Sequence, residues 1–266
     1  MTTSTTPRAA DRADVGRAVR PVLVVAFWLV VWQVAAVLVG QRILLPSPVE
    51  VLTRLGELVV TPEFWTTVAT SMVRIVAGLL LGTALGTLTA ALAARSRTVD
   101  ALVTPLLGAV RAAPVVSFII LVLIWVDTVR LSVVVSTLMV LPVVHTAVLT
   151  GLRHRDVALL EMTTVFGVPW QRRLAAVDVP AVLPFFAAAC RVGVGLAWKS
   201  GIAAEVIGLP AGTIGERLYD AKLLLESADV FAWTLVVIAL SLTLERLVAA
   251  LLAHPTAAQS APGGAS

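Results

Sequence analysis

One segment contains the glycine, lysine and serine that a phosphate-binding loop uses. It runs from Gly193 to Ser200 and reads Gly-Val-Gly-Leu-Ala-Trp-Lys-Ser. In a phosphate-binding loop the residue before the lysine is a glycine, because the backbone there must curl around the phosphate. Trp198 occupies that position, and the surrounding segment is apolar like a membrane helix. The sequence therefore predicts no nucleotide site here, and any ATP hydrolysis must come from another chain.

The sequence also lacks the residue arrangements that nucleophilic catalysis, acid–base catalysis and metal binding need. His145, His154 and His254 stand in a predicted span, a loop and a tail, with no carboxylate at ligand spacing on a shared face. The sequence has neither paired carboxylates nor a nucleophile elbow. Cys190 is the only cysteine, so an intrachain disulfide is impossible. We therefore expect that the chain is not an enzyme and holds no cofactor of its own.

Charged residues within apolar segments are the remaining candidates for a binding role, namely Arg111, Arg191, Lys199 and Glu205. A basic side chain at the bilayer centre costs about 2.5–3.5 kcal/mol on insertion scales, so it is seldom kept without a partner or water. For Arg111 and Arg191, snorkelling to the interface is an alternative. Lys199 and Glu205 are about 240° apart around a helix, so they cannot pair with each other. Lys199 is the candidate counter-ion for an anionic solute in a translocation path.

The elements that must position these residues are membrane helices. The chain has 266 residues, of which 59% are hydrophobic and 14% charged, with a mean hydropathy of +0.97. Soluble domains are roughly 45–50% apolar and about 25% charged, so a water-soluble globule is excluded. Six stretches have the length and apolarity of a span: Val22–Val39, Ile75–Ala94, Ala101–Val126, Leu131–Leu152, Val182–Ile207 and Val230–Ala253. The sequence predicts an all-α polytopic membrane protein with about six transmembrane helices.

The distribution of basic residues predicts the orientation of these spans. Eleven arginines lie in the N-terminal tail, the 95–100 loop, the 151–178 loop and the C-terminal end, whereas five basic residues lie in the opposite connections. The positive-inside rule therefore places both termini in the cytoplasm. We expect residues 1–20 and 254–266 to be disordered cytoplasmic tails around a transmembrane domain over 21–253. The net charge of +4 comes without a basic run, so nucleic-acid binding is not implied.

Two local patterns predict how the chain packs outside and inside the spans. Ser47, Pro48 and Glu50 have the spacing of a capping box with proline at the first helical position, which predicts a short helix on the outer face. Three glycines at intervals of four residues would let another helix approach the second span closely: Gly78, Gly82 and Gly86. Packing within the chain and contact with a second copy explain this stripe about equally well.

The connection over 151–180 combines helix-forming and helix-breaking signals. The sequence predicts a short helix over 159–166, its end at Gly167, a second helix and a kink at Pro180. The apolar side of the short helix consists of Leu159, Leu160, Val165 and Phe166. Such a short helix is not stable alone in water, so it needs a groove on a partner or on its own bundle. The alternative is an interfacial helix that only closes the loop.

This connection resembles the EAA loop of ABC importer permeases. That pattern begins with a Glu, two small residues, three variable residues and a Gly. After nine further variable residues it ends with an aliphatic residue, any residue, an aliphatic residue and a Pro. The matching positions are Glu161, Met162, Thr163, Gly167, Val177, Val179 and Pro180, with Met162 and Thr163 in place of the two alanines. The resemblance implies that the loop carries a cytoplasmic coupling helix, which docks into a cleft of a cytoplasmic ATPase subunit.

Further short matches resemble the nitrate/sulfonate/taurine branch of these permeases. They are Leu45-Pro46-Ser47-Pro48, Arg111-Ala-Ala-Pro114 with Trp125, Arg191 with Ala204-Glu205, and Gly212-Thr-Ile-Gly215, whereas Ile120 replaces a common second proline. The resemblance implies a homodimeric permease in the inner or plasma membrane, with a solute-binding protein outside and ATP and Mg²⁺ held by the ATPase. It suggests a small anion such as a sulfonate, taurine or nitrate, although some such permeases carry heterocycles.

A secondary transporter working without an ATPase is the main alternative to an importer permease. Such transporters are often built from inverted repeats with ionisable residues near the membrane midplane. We recognise no convincing repeat between residues 22–126 and 131–253. The sequence therefore favours the importer permease.

Overall fold

The computed structural model describes the backbone of residues 10–257 and the side chains of residues 23–252. Within these limits the chain forms helices, turns and bends without a strand, which confirms the predicted all-α class. The α-helices are α1 (Ala10–Val39), α2 (Pro48–Val59), α3 (Pro62–Arg95), α4 (Arg97–Ala112), α5 (Val115–Val122), α6 (Thr128–Arg153), α7 (Val157–Val165), α8 (Trp170–Arg173), α9 (Val179–Gly208), α10 (Ile214–Leu223) and α11 (Ser227–Ala257). A π-helical turn over Leu174–Asp178 joins α8 to α9.

Helices α3 and α6 pack in the same direction through the predicted glycine stripe. Gly78 faces Ser136, Gly82 faces Val140 and Gly86 lies against the backbone of α6. A Cβ atom on Gly82 would lie 2.8 Å from the Val140 Cβ and 2.8 Å from a backbone oxygen of α6. Only glycine permits this approach, because backbone cannot move aside as a flexible side chain does. The stripe therefore serves packing within the chain, which decides between the two alternatives.

Helix α9 runs antiparallel to α6 and completes the core. The Ser136 hydroxyl donates to the Ala197 carbonyl oxygen over 3.0 Å, and Gly151 near the end of α6 lies against Val182 near the start of α9. The buried Trp198 donates its indole N–H to the Val237 carbonyl oxygen of α11 over 3.0 Å. The end of the bundle that contains the 151–180 loop is called the α7 end below, and the opposite end is called the α2 end.

The predicted third span, Ala101–Val126, is not one straight helix. The chain bends by 109° between α4 and α5, at Ala113 and Pro114. Proline lacks the N–H that a continuing helix needs, and it disfavours helical backbone at the preceding residue. Because α3 and α6 run in the same direction, the segment between them must return the chain to the α2 end. The bent pair therefore takes the place of the predicted straight span.

The other predicted spans are found as helices. Four helical segments are long and apolar enough to cross a membrane, and α1 has a shorter apolar part over Leu23–Val39. The four are Pro62–Arg95, Thr128–Arg153, Trp170–Gly208 and Ser227–Leu252. With the bent pair, these elements account for all six predicted stretches and confirm the polytopic fold.

The first and last helices extend into the predicted tails. Helix α1 begins at Ala10 and α11 ends at Ala257, so both include residues that the sequence assigns to the tails, namely 10–20 and 254–257. Extending a helix that already exists is far easier than starting one, so polar residues beside an apolar helix continue it. Residues 1–9 and 258–266, the rest of the predicted tails, lie outside the described residues.

Polar contacts organise the α2 end. The predicted capping box of α2 is confirmed: the Ser47 N–H donates to the Glu50 carboxylate over 2.9 Å, and the Glu50 N–H donates to the Ser47 hydroxyl over 3.3 Å. The first of these bonds lowers the pKa of Glu50. Arg54 of α2 makes a two-point ion pair with Asp229 of α11, with 3.0 Å between Nη2 and Oδ2. These contacts hold α2 against the start of α11.

Candidate coupling loop and charged helix face

Helix α7 is a short helix with a defined signal at each end. The Asp156 carboxylate caps its start by accepting the Ala158 N–H over 2.8 Å. At its end Gly167 adopts φ +61°, its N–H donates to the Thr164 carbonyl oxygen, and the Val168 N–H donates to the Thr163 carbonyl oxygen over 2.9 Å. This pair of bonds is a Schellman motif, in which glycine supplies the left-handed residue. The predicted helix and its glycine stop are therefore confirmed.

The two ends of the loop are joined by an ion-pair cluster around Asp178. Arg155, just before α7, places Nη1 2.6 Å from the Asp178 Oδ1. Arg173 of α8 lies 3.7 Å from the other carboxylate oxygen, and Asp178 is itself buried. Sequence reasoning missed this anchor, and its only signal was one acid between Val177 and Val179. The cluster fixes the base on which α7 stands.

The residues of the predicted docking motif do not form a single surface. Glu161, Met162 and Gly167 are exposed on α7 and its end. Thr163 is buried and its hydroxyl donates to the Leu160 carbonyl oxygen over 2.8 Å, and Val177 is also buried. Val179 is exposed and Pro180 is half-buried. Pro180 does not end the helix, because the π-helical turn before it carries the chain on into α9.

The exposed apolar surface of the loop extends beyond the predicted side of α7. Leu160 is half-buried, whereas Val165 is 81% exposed and Phe166 is 77% exposed. Trp170, the first residue of α8, is 69% exposed and was missed by the sequence reasoning. A cleft of about 440 Å³ beside these residues is lined by Val157, Leu160, Glu161, Thr164, Val165 and Arg173. The loop thus presents large apolar side chains beyond the ends of the membrane helices.

Two of the predicted path residues share one face of α9. Arg191 and Lys199 are both exposed, and Gly195 lies midway between them. The Glu245 carboxylate of α11 approaches this glycine, with Oε1 3.2 Å from where a Cβ atom would lie. Glu245 was missed, although an acid within the last predicted span was a visible signal. The face therefore carries charges of both signs at the depth of the membrane.

The other two predicted path residues, Glu205 and Arg111, do not lie on the face of α9 that carries Arg191 and Lys199. Glu205 is 0% exposed and accepts the Ser71 hydroxyl over 2.7 Å, while Ser71 accepts the Ile214 N–H over 2.9 Å. A Cβ atom on Gly215 would lie 2.3 Å from the Glu205 Cβ, so α10 begins directly against α9. Arg111 donates to the Thr146 hydroxyl over 3.4 Å near the bend after α4. The four predicted path residues therefore do not converge, and Glu205 lies in the packing between α3, α9 and α10.

The left-handed conformation of Gly167 gives a testable prediction. No atom lies within 4 Å of a Cβ built there, so backbone conformation and not space selects glycine. Gly167→Val should cost roughly 1–2 kcal/mol locally, because a side chain disfavours the left-handed region, whereas Gly167→Asn should be close to wild type. The Val variant should then exchange the amide hydrogens of Phe166 and Val168 several-fold faster. Equal exchange in the Val and Asn variants would contradict the assignment.

Comparisons with known proteins agree with this architecture. Residues 82–254 match the family described as binding-protein-dependent transport system inner membrane component. A Haemophilus influenzae protein named as an ABC transporter permease is 30% identical, over 86% of this chain and 93% of its own. SsuC of Bacillus subtilis, named for aliphatic sulfonate transport, is 28% identical over 80% of this chain and 76% of its own. ThiX of Halalkalibacterium halodurans, named for formylaminopyrimidine transport, is 27% identical over 74% of this chain and 78% of its own. The chain belongs to the binding-protein-dependent transport system inner membrane component family, and it is a multi-pass transport permease rather than an enzyme.

Proposed function

We propose that this permease is the membrane subunit of an ATP-driven importer and that a cytoplasmic ATPase subunit docks on α7. The observation that carries the proposal is the exposed apolar group Val165, Phe166 and Trp170 on a loop with a fixed base. ATP and Mg²⁺ would be bound by the ATPase, since Trp198 replaces the glycine that a phosphate-binding loop needs in the segment Gly193–Ser200. A solute-binding protein would deliver the solute to the opposite end of the permease.

Docking on α7 is energetically reasonable. Fully burying one large apolar side chain contributes roughly 1.5–3 kcal/mol, so Val165 and Phe166 together would contribute roughly 3–6 kcal/mol to binding in a partner groove. The helix is already capped by Asp156 at its start and by Gly167 at its end. Since a partner would meet a preformed helix, binding does not have to include the cost of ordering it.

The loop is connected to the membrane helices in a way that supports transmission of movement. The helical segment from Trp170 to Gly208 begins in the loop and continues through the predicted membrane as α9. Arg155, at the end of α6, is joined to this segment by the Asp178 ion pair. A partner that displaces α7 as a rigid body would therefore move α9, which carries Arg191 and Lys199.

The α7 end is the proposed cytoplasmic end, and the described start of α1 and end of α11 are both directed toward it. Trp32, late in α1, stacks on Phe231, early in α11, with ring centroids 5.7 Å apart. The start of α1 and the end of α11 are consequently both directed toward the α7 end. The excess of arginines in the α7-end connections supports the cytoplasmic assignment.

The charged face of α9 supports a translocation path between two copies of the permease. Exposed to lipid, Arg191 and Lys199 would each cost about 2.5–3.5 kcal/mol on insertion scales, so the face belongs against water or another copy. Arg191 and Lys199 outnumber the one acid on this face, Glu245, and an excess of positive charge in such a path suits a small anion such as a sulfonate, taurine or nitrate. The name of the Bacillus subtilis relative agrees with a sulfonate, whereas ThiX is named for a heterocycle.

The docking proposal predicts the effect of two substitutions on ATPase binding. The double variant Val165→Asp/Phe166→Asp should weaken co-purification of the ATPase subunit by about a hundredfold or more, because roughly 3–6 kcal/mol of apolar burial is lost. The control variant, Leu44→Asp/Val60→Asp, changes exposed apolar residues at the α2 end and should bind normally. Normal ATPase binding by the first variant would contradict the docking site.

The path proposal predicts a loss of anion transport when Lys199 is neutralised. A hydrogen bond to a charged group contributes roughly 1.5–3 kcal/mol, so Lys199→Gln should lower taurine uptake by the complete importer about tenfold or more. Lys199→Arg should keep most of the activity, because it keeps the positive charge. Unchanged uptake in Lys199→Gln would remove Lys199 from the path, and absent uptake in the wild type would exclude taurine as the cargo.

A further inference from the structure

The α7 end contains a basic cleft beside α3, which Val157 and Leu160 of α7 and Trp170 of the exposed apolar group also line. Two adjoining clefts, of about 480 and 380 Å³, open at the end of α3. They share four lining residues, namely Ala94, Arg95, Leu152 and Arg155. Since α3 and α6 both cross the predicted membrane and end here at Arg95 and Arg153, the cleft lies at a membrane–water interface.

The cleft has an excess of positive charge. Five arginines line it against two aspartates: Arg95, Arg97, Arg153, Arg155 and Arg173 against Asp100 and Asp178. Asp100 pairs with Arg153 over 2.6 Å, and Asp178 pairs with Arg155 and Arg173. Within the described part of the chain, Arg95 and Arg97 have no ion-pair partner within 4.0 Å. Two guanidinium groups are therefore free to bind an anion.

An apolar stripe on the outside of α3 leads to these arginines. Leu81, Leu85, Leu88 and Leu92 are all exposed and follow one another at intervals of three or four residues. Arg95 comes three residues after the last leucine, so it continues the same face of the helix. The surface thus combines a track for a hydrocarbon chain with a cationic end.

We propose that this cleft binds the headgroup phosphate of an anionic phospholipid, with an acyl chain along the leucine stripe. Arg95 and Arg97 would contact the phosphate, because guanidinium groups bind phosphate oxygens with matched geometry. Basic pockets between membrane helices on the cytoplasmic side favour anionic headgroups. A zwitterionic lipid would place its own cation among the arginines and is disfavoured. The proposal requires this end to lie at the interface, but it does not require ATPase docking.

The test compares lipid binding by variants of the full-length permease, purified in detergent without its partners. Native mass spectrometry is used to titrate phosphatidylglycerol and phosphatidylcholine onto the wild type, Arg95→Gln/Arg97→Gln and Arg172→Gln/Arg246→Gln. The last variant removes the same charge from exposed positions outside the cleft. At about 1 kcal/mol per arginine, the cleft variant should bind phosphatidylglycerol about thirtyfold more weakly, while the control should be close to wild type.

Several results would overturn the proposal. Equal weakening by the cleft and control variants would indicate diffuse surface electrostatics, and equal affinity for phosphatidylcholine would exclude recognition of charge. If inorganic phosphate displaced phosphatidylglycerol and bound the cleft as tightly as the lipid does, the acyl chain would contribute nothing to binding. Unchanged lipid binding with lost ATPase co-purification in Arg95→Gln/Arg97→Gln would assign the cleft to the protein partner.

Unfolding temperatures in detergent provide the folding control. If the variants unfold at the same temperature as the wild type, misfolding is excluded as the cause of weaker lipid binding.

Discussion

The buried carboxylate of Asp178 makes the contacts on which the loop that carries α7 depends. It pairs with Arg155 after α6 and with Arg173 before α9, so the loop that carries α7 is closed at its base. Breaking a buried ion pair from one side leaves a charge without compensation, which is strongly destabilising. The closed base leaves α7 exposed while it stays firmly connected to two membrane helices.

The core that receives this connection is built from close contacts between backbones. Gly82 on α3 lies against α6, and Gly215 at the start of α10 lies against α9. In a lipid environment small residues allow helices to gain dispersion contacts that larger residues would prevent. Glu205 belongs to this packing, since it holds Ser71 and lies beside the start of α10. The charged face of α9, with Arg191 and Lys199 exposed, remains outside this core.

Much of this architecture could be predicted from the sequence, because apolar length, glycine spacing and capping residues act locally. The capping box of α2 and the stop at Gly167 were predicted correctly for that reason. The bend within the third predicted span was not predicted, although Pro114 was visible in the sequence. The burial of the docking-motif residues could not be predicted from their spacing: Thr163 and Val177 are buried, whereas Glu161 is exposed.

Contacts between distant segments were beyond the reach of pattern reasoning. The Asp178 cluster joins residues 23 positions apart, and the approach of Glu245 to Gly195 joins two helices. Neither follows from local spacing.

The most direct test of the account is solute uptake into vesicles containing the permease and its binding protein, with and without the ATPase and ATP. We expect uptake only when the ATPase and ATP are present. Uptake at the full rate without a nucleotide-hydrolysing subunit would contradict the account and favour a secondary transporter.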